Sequence, residues 1–198
     1  MLFVSNLTRP GLEPVSFELP DATCIAVRGP SGGGKTLLLR ALADLDPNDG
    51  AVSLDGEPRD SLSAPDWRRR VAYLPAEPGW WAESVGAHFP DDDRVAPLLT
   101  ALGLPPDALA WPVMRLSTGE RQRLGLIRVL LLEPRVYLLD EPTSGLDAAA
   151  TTAVETVVGE RLAKGAAALW VTHDPGQAER LAARVLDVTA GRVTEAGR

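Results

Sequence analysis

Several residue types and patterns are scarce in this sequence, and each scarcity excludes a class of protein. The 198 residues include one cysteine, Cys24, which has no partner for an internal disulfide and lies in an apolar run, so we expect a buried thiol in a reducing compartment. No apolar stretch approaches the ~20 residues that span a bilayer, because the longest, residues 124–132, contains Arg128. The first residues also lack the basic and apolar regions of a secretory leader. These absences predict a cytoplasmic protein that another component would have to hold at a membrane.

Basic residues are in the minority. The chain has 20 Lys and Arg against 27 Asp and Glu, and the net charge of −7 opposes binding to nucleic acid, which is mostly electrostatic. The sequence contains no internal repeat. Its length fits one domain, which buries roughly 70% of the surface that the unfolded chain exposes. We therefore expect one globular domain with no nucleic acid partner.

What the sequence does contain is an alternation of strand-like and helix-like segments. The strand candidates are short, apolar and bounded by breakers, and the helix candidates have apolar residues at helical spacing. The predicted strands are residues 22–28, 71–75, 136–140 and 166–171, and the predicted helices are residues 35–44, 120–132, 147–164 and 176–184. This order predicts an α/β fold with a parallel sheet covered by helices on both faces.

One stretch, residues 77–116, interrupts the alternation. Proline, glycine, aspartate and tryptophan are dense there, and a helix is credible only over residues 95–102. We interpret this stretch as a small inserted subdomain. Its adjacent Trp80 and Trp81 are either exposed anchors for a partner or part of the packing inside the subdomain.

A glycine-rich loop follows the first of these strands. It matches the pattern G-x-x-x-x-G-K-[ST] and consists of Gly29, Pro30, Ser31, Gly32, Gly33, Gly34, Lys35 and Thr36. Glycines let backbone N–H groups point at phosphate oxygens, and the following helix offers its positive end to the anion. An ordinary turn needs one or two glycines, and each ordered glycine costs about 0.5 to 1 kcal/mol relative to alanine, which favours a ligand. We predict ATP here, with Lys35 reaching the β and γ phosphates and Thr36 binding Mg²⁺.

Two carboxylates, Asp140 and Glu141, end another apolar strand. Buried carboxylates are costly unless they act on a cation or a reacting water, so we predict that Asp140 holds Mg²⁺ and that Glu141 polarises or deprotonates the attacking water. His173 follows a further apolar strand and should lie at the same carboxyl edge of the sheet, where such folds bind ligands. A structural role is the alternative for a histidine considered alone.

Residues 116–123 precede the acidic strand and open a predicted helix. Ser117 and Glu120 have the spacing of a capping box, which explains these two residues but not the ordered set of motifs along the chain. That set comprises the phosphate loop, residues 116–123, the Asp140-Glu141 pair, residues 144–147 and His173. In this order it resembles the ATP-binding cassette (ABC) family over nearly the entire chain.

The resemblance implies roles for individual residues. Ser117, Thr118, Gly119 and Glu120 correspond to the family's signature motif, Asp147 to its D-loop, and His173 to the switch histidine that contacts the γ-phosphate. Thr118 stands for the commoner glycine and Glu120 for the commoner glutamine. A helix N-terminus with Ser117 and Gly119 is an anion site that lacks its own phosphate loop, so it would cap ATP held by a second cassette. We therefore expect a head-to-tail dimer, with a second copy of this chain, that encloses two ATP molecules.

The family's architecture also gives expected boundaries. Residues 1–198 would form one ABC ATPase domain of the P-loop NTPase class, with a RecA-like core at about 1–76 and 117–198 and a reduced helical subdomain at about 77–116. A small antiparallel β portion is expected at residues 1–21 and 51–54.

Two positions depart from the family's pattern. Members usually carry a glutamine after the strand equivalent to residues 71–74, where it touches Mg²⁺ and couples to the membrane subunit. Here that position is Ala76, and the adjacent Glu77 could substitute through water. Members also place an aromatic ring on adenine, whereas Arg9 occupies that position here and could stack its guanidinium plane on the base.

The function that follows is ATP hydrolysis that powers transport through a permease on a separate chain, at the inner face of the cell membrane. Residues 169–174 and the proline-rich loop after Leu74 resemble Fet-type iron-export subunits, with the cassette of haem exporters as the alternative. Two other classes are a soluble cassette ATPase that acts on DNA or ribosomes and a module that binds nucleotide without hydrolysis, which Ala76 and Arg9 suggest.

Overall fold

Two β-sheets form the framework of the chain, of which a computed structural model describes residues 1–196. The strands are β1 (Leu2–Arg9), β2 (Leu12–Leu19), β3 (Cys24–Arg28), β4 (Asp49–Leu54), β5 (Glu57–Pro58), β6 (Val71–Leu74), β7 (Val136–Asp140), β8 (Ala167–Val171), β9 (Arg184–Thr189) and β10 (Arg192–Glu195). The smaller sheet is antiparallel with the order β2-β1-β4-β5. The main sheet has the order β10-β9-β3-β8-β7-β6, and all its pairs are parallel except β10 with β9. The loops after β3, β8 and β7 therefore meet at one edge.

The helices cover both faces of the main sheet. They are α1 (Lys35–Leu42), α2 (Ala64–Arg70), α3 (Val95–Ala101), α4 (Thr118–Leu131), α5 (Ala148–Ala163) and α6 (Pro175–Leu181). Side-chain oxygens cap the first turns of α2, α4, α5 and α6, from Ser63, Ser117, Asp147 and Asp174. No helix within residues 1–196 is long and apolar enough to cross a membrane.

Alternate residues of the main-sheet strands enter two different hydrophobic cores. In β3, Ile25 and Val27 belong to the core shared with α1 and the antiparallel sheet, whereas Cys24 belongs to the core shared with α3, α4 and α5. This follows from the period of two in a strand. Burial raises the pKa of the Cys24 thiol to about 12, so the thiol stays protonated and unreactive at neutral pH. The predicted burial of Cys24 is confirmed.

Residues 77–116 contain one short α-helix, α3, and three 3-10 turns, at Gly86–His88, Pro106–Ala110 and Val113–Arg115. The polypeptide here is rich in proline and does not sustain longer helices. The predicted fold class is confirmed: a parallel-sheet core, a small antiparallel β portion and a reduced helical part.

Four elements have no counterpart among the predicted segments: α2, β5, β9 and β10. Helix α2 is short and basic, and its place depends on the buried Trp67, whose indole N–H donates to the Leu42 carbonyl at 2.8 Å. The helix predicted over residues 176–184 is wrong at its end, because α6 stops at Leu181. From Ala183 the chain pairs with β3, and the Ala183 N–H donates to the Cys24 carbonyl at 3.0 Å.

Candidate active site

The phosphate loop follows β3 and enters α1 through Gly34, which has a left-handed φ of 110°. A Cβ on Gly33 would lie 2.7 Å from the carbonyl oxygen of Val188 and 2.9 Å from that of Pro30, so this position accepts only glycine. The loop borders a hollow of about 340 Å³, lined by Ser31, Gly32, Gly33, Gly34, Lys35, Thr36, Leu37 and Glu141. The glycine backbone thus forms a hollow beside the loop, and side chains at the glycine positions would reduce it.

The Lys35 side chain is folded into this loop and only 6% of the residue is exposed. Its Nζ donates to the carbonyl oxygens of Gly29 and Pro30, both at 2.9 Å. A buried ammonium needs acceptors of this kind, and a phosphate beside the loop would offer charged oxygens in addition. The lysine is therefore placed where an anion in the hollow could reach it.

Thr36 and Asp140 meet across the space between α1 and β7. The Thr36 hydroxyl donates to Oδ2 of Asp140 at 2.8 Å, and Asp140 is 3% exposed. The Tyr73 hydroxyl, from β6, donates to the same oxygen at 3.0 Å. Burial and the adjacent Asp140 carboxylate raise the pKa of Tyr73 well above its usual range, so its hydroxyl remains a donor. Hydroxyl and carboxylate oxygens are the ligands that Mg²⁺ prefers.

The sequence analysis missed Tyr73. A polar hydroxyl in a short apolar strand next to the acidic strand is the signal that could have identified it. Its side chain packs against the buried core residues, and only the geometry shows that its hydroxyl reaches the carboxylate.

Glu141 and His173 are brought together from the ends of β7 and β8. Oε1 of Glu141 lies 2.6 Å from Nε2 of His173, and both side chains are partly exposed. Glu141 has a φ of 50°, an uncommon conformation for a residue other than glycine. A second hollow of about 290 Å³ adjoins this pair and is lined by residues of the 141–151 and 171–177 segments. Glu141 borders both hollows, so one carboxylate connects the phosphate loop with the histidine.

The residues predicted to be the signature motif, 117–120, form the start of α4. Ser117 accepts the Glu120 N–H at 3.2 Å, and the Glu120 carboxylate accepts the Ser117 N–H at 2.8 Å, so the predicted capping box is confirmed. Gly119 lies against Leu146, where a Cβ would be 3.0 Å from the leucine Cδ2. Asp147 accepts the Ala150 N–H at 2.8 Å and caps α5. Within residues 1–196, no signature residue lines either hollow described above.

Arg9, which is predicted to stack on a base, forms an ion pair with Asp46 in the structure. Its guanidinium donates to Asp46, and Asp46 also accepts from Arg40 at 2.6 and 2.7 Å. The Arg9 side chain is 15% exposed. The two guanidinium groups, Arg40 foremost, hold the pKa of Asp46 well below its usual range. Asp46 thus holds the edge of the Arg9 guanidinium, and the stacking of its plane on a base stays a prediction.

We predict that Asp46→Asn lowers stability by about 2 kcal/mol, because it leaves the partly buried guanidinium of Arg9 without its charged partner. In a chain of this length that corresponds to a fall in Tm of roughly 4 to 8 °C, measured by thermal unfolding. The folded pKa of Asp46 is depressed, so the stabilisation is present above its ordinary pKa of about 3.9 and lost as the pH falls below it. The matched control is Glu57→Gln, which removes an exposed partner of Arg70 and should cost about 0 to 1 kcal/mol. Equal effects of the two variants at neutral pH would contradict the prediction.

The loop after β6 lies against α4. Ala76, Glu77 and Pro78 line a hollow of about 310 Å³ together with Thr118, Arg121 and Gln122. Glu77 is exposed and is not among the residues that border the phosphate-loop hollow within residues 1–196. Glu77 therefore lies beside α4, and its substitution for the glutamine through water stays a prediction.

The two tryptophans of this region differ in burial. Trp80 packs against the core formed with α4, whereas Trp81 is 74% exposed. The Arg128 guanidinium lies over both rings, at 4.7 and 5.1 Å, and donates to the Gly79 carbonyl at 2.9 Å. His88 supports the segment, since its Nε2 accepts the N–H groups of Trp81 and Ala82 at 2.9 and 3.1 Å. Packing inside the subdomain therefore fits Trp80, and an exposed anchor for a partner fits Trp81.

The comparison with known proteins decides the family. A model of the ABC transporter family matches residues 12–144, which include the phosphate loop, the signature segment and the acidic pair. This chain belongs to the ABC transporter family. The cassette is 36% identical over 198 residues to the Fe(3+) ions import ATP-binding protein FbpC 2 of Rhodococcus jostii (strain RHA1), covering 94% of this chain and 57% of that protein. It is 34% identical over 205 residues to the ATP-dependent lipid A-core flippase of Burkholderia orbicola (strain AU 1054), covering 95% of this chain and 34% of that protein.

Solved structures of ABC cassettes share the fold. The ATP-binding subunit of an ABC transporter is 28% identical, with a TM-score of 0.88 over 99% of this chain and 89% of that one. A dimeric cassette in a post-hydrolysis state, bound to ADP and Pi, is 19% identical, with a TM-score of 0.83 over 100% of both chains. The cassette described here spans about half, or less, of the curated relatives named above.

Proposed function

We propose that this cassette hydrolyses ATP and drives transport through a membrane subunit on another polypeptide. The observation that supports this most directly is the meeting of three segments at one edge of the main sheet. The phosphate loop follows β3, the acidic pair follows β7 and His173 follows β8. Glu141 connects them, because it borders the phosphate-loop hollow and lies 2.6 Å from His173.

The residues fit ATP and Mg²⁺. The glycine cradle and the Lys35 ammonium suit the phosphates, and the Thr36 hydroxyl and Asp140 carboxylate are hard oxygen ligands. Two protein groups suffice, because Mg²⁺ in such sites keeps water and substrate phosphates as its other ligands. When bound, Mg²⁺ would neutralise negative charge on the phosphates.

Three residues, Glu141, His173 and Lys35, would have different roles in hydrolysis. Glu141 would accept the proton of the attacking water, and its contact with His173 holds the carboxylate in one orientation. His173 would also contact the γ-phosphate, as the resemblance to the family implies. Lys35 would stabilise the charge that develops on the transferred group, since its ammonium already lies at the loop.

We propose that two cassettes pair head to tail. Ser117 and Gly119 lie at an exposed helix start whose N–H groups suit an anion, and they are not among the residues that border the hollows of the chain's own loop within residues 1–196. A second cassette would supply the missing phosphate, and Asp147 would lie at the interface. The related cassette captured with ADP and Pi is a dimer.

The transport partner is proposed to be an integral-membrane permease that holds this cassette at the inner face of the cell membrane. The exposed Trp81 is a suitable anchor, because large aromatic residues supply much of the energy of interfaces. The net charge of −7 supports the expectation that nucleic acid is not a partner.

The names of the relatives bear on the cargo and on the direction of transport. The relatives compared above are named for iron import and lipid A flipping, and they do not support the Fet-type iron export that the sequence suggests. Cargo contacts belong to the permease, so we assign this chain the ATPase role alone.

Phosphate release from Mg-ATP tests the ATPase. We expect hydrolysis that Lys35→Ala abolishes, since the variant lacks the ammonium at the loop. Lys164→Ala, at the far end of α5, is the matched control and should retain wild-type rates. Hydrolysis that survives in Lys35→Ala would show a contaminating enzyme and remove the support for the proposal.

We predict that Trp81→Ala weakens the association with the permease by roughly 30-fold, as expected when an interface anchor worth about 2 kcal/mol is removed. The measurement is titration of the cassette onto the permease in detergent, followed by stimulated ATPase activity. Basal hydrolysis should be unchanged, because Trp81 lies outside the nucleotide site. Phe3→Ala, an aromatic residue of β1 that is 42% exposed, is the control. An affinity for the permease equal to that of the wild type would show that Trp81 is not the anchor.

A further inference from the structure

The Tyr73 hydroxyl contacts the carboxylate that is proposed to hold Mg²⁺. It donates to Oδ2 of Asp140 at 3.0 Å, and the Thr36 hydroxyl donates to the same oxygen at 2.8 Å. No donor among residues 1–196 contacts Oδ1 of Asp140. Two donors on one oxygen fix the plane of this buried carboxylate and leave the other oxygen for a further ligand.

The residue at position 76 bears on the role of the contact between Tyr73 and Asp140. The family resemblance places a metal-touching glutamine after β6, whereas this chain has Ala76, which has no polar side chain. Glu77 lines a hollow beside α4 and is not among the residues within 1–196 that border the phosphate-loop hollow. Tyr73 is therefore the residue of β6 whose polar group reaches the metal side of the site.

We propose that Tyr73 is a positioning residue for Mg²⁺, which orients Asp140 through its hydroxyl. The inference rests on the proposed ATPase function. Second groups of this kind orient a metal ligand and raise its affinity, and their removal typically lowers metal affinity or activity 10- to 100-fold. The alternative is that Asp140 merely satisfies a buried tyrosine hydroxyl.

The environment of the hydroxyl favours the positioning role. The Tyr73 side chain packs against the core shared with α1 and the antiparallel sheet, and this packing fixes the side of the ring opposite the hydrogen bond. The hydroxyl is thus held by the packing of its ring on one side and by its hydrogen bond to Asp140 on the other.

The test is Tyr73→Phe, which removes the hydroxyl and keeps the ring in the core. A fluorescent ATP analogue measures nucleotide affinity in EDTA and then the Mg²⁺ concentration that half-saturates the metal-dependent signal. We expect affinity in EDTA within two-fold of the wild type and a half-saturating Mg²⁺ concentration raised about 10- to 100-fold. Steady-state hydrolysis should need more Mg²⁺ by a similar factor.

Tyr137→Phe is the matched control. Tyr137 is a buried tyrosine on the neighbouring strand β7 whose hydroxyl interacts with Arg161 instead of Asp140. It should leave the Mg²⁺ dependence unchanged. An unchanged Mg²⁺ dependence in Tyr73→Phe would overturn the proposal, and so would equal losses of affinity with and without Mg²⁺, which would indicate a structural role. Failure of the wild type to bind ATP, or of Asp140→Asn to lose the metal response, would instead refute the proposed function.

Discussion

The variant Glu141→Gln should lower the turnover of ATP by about 10²- to 10⁴-fold while ATP remains bound, because the amide keeps the shape of the carboxylate but cannot accept a proton from water. The expected effect is large since Glu141 is the residue that borders the phosphate-loop hollow and also contacts His173. The amide can still hydrogen-bond to His173, so the geometry of the pair is retained. Phosphate release under saturating Mg-ATP measures the loss.

Solution mass measures the second consequence of the same change. With ATP retained, the closed head-to-tail pair should persist, so Glu141→Gln should shift from monomer to dimer with Mg-ATP and stay monomeric without it. The control is Glu160→Gln, an exposed carboxylate on α5, which should hydrolyse ATP at the wild-type rate and not accumulate as a dimer. Unchanged turnover in Glu141→Gln would refute the assignment of the base. Bound nucleotide without dimer would show that closure needs the permease or a different cassette.

The parts of the fold that could be predicted from sequence are those whose signal is local. The phosphate loop needs glycine at adjacent positions for its own backbone geometry, and the strand 136–140 is apolar throughout until its carboxylates. These features are visible in a few consecutive residues. The capping box of α4 is of the same kind, because its two partners lie three residues apart.

The parts that could not be predicted depend on contacts distant in sequence. Strand β9 forms because residues 184–187 pair with β3, about 160 residues earlier in the chain, and this pairing ends α6 sooner than its helical pattern indicates. Helix α2 is fixed by the contact of Trp67 with the end of α1.

The same limit applies to the candidate site. Arg9 has a planar guanidinium that can stack on a base, but its partner Asp46, which lies 37 residues away in sequence, determines the orientation of that group. The contact of Tyr73 with Asp140 spans 67 residues. In both cases the residue type states what a side chain can do, and the tertiary structure selects which of those interactions it makes.

The proposed head-to-tail arrangement predicts that two variants deficient in ATP retention restore one site when they are mixed. In a Glu141→Gln background, Lys35→Ala should lose ATP at its own loop, and Ser117→Asp should lose ATP held by the partner, because its negative charge would face the γ-phosphate. Aspartate is a good helix N-cap, so α4 should remain capped, and Ser117→Asn controls for the change in side chain without the charge. Tested alone, Lys35→Ala and Ser117→Asp should each bind ATP at least about 100-fold more weakly than the Glu141→Gln parent.

In a heterodimer of the two variants, the loop of the Ser117→Asp chain faces the intact signature of the Lys35→Ala chain, so one of the two sites is complete. Random pairing makes half of the dimers mixed, and an equimolar mixture should therefore retain about one quarter of the ATP that the parent retains, measured by filtration after removal of free nucleotide. If the signature acted on the loop of its own chain, neither subunit would have a complete site and the mixture would retain no more ATP than the separate variants. Recovery of binding from two deficient chains would thus show that each ATP is held between subunits, as we propose from the absence of Ser117 among the residues within 1–196 that border the phosphate-loop hollow.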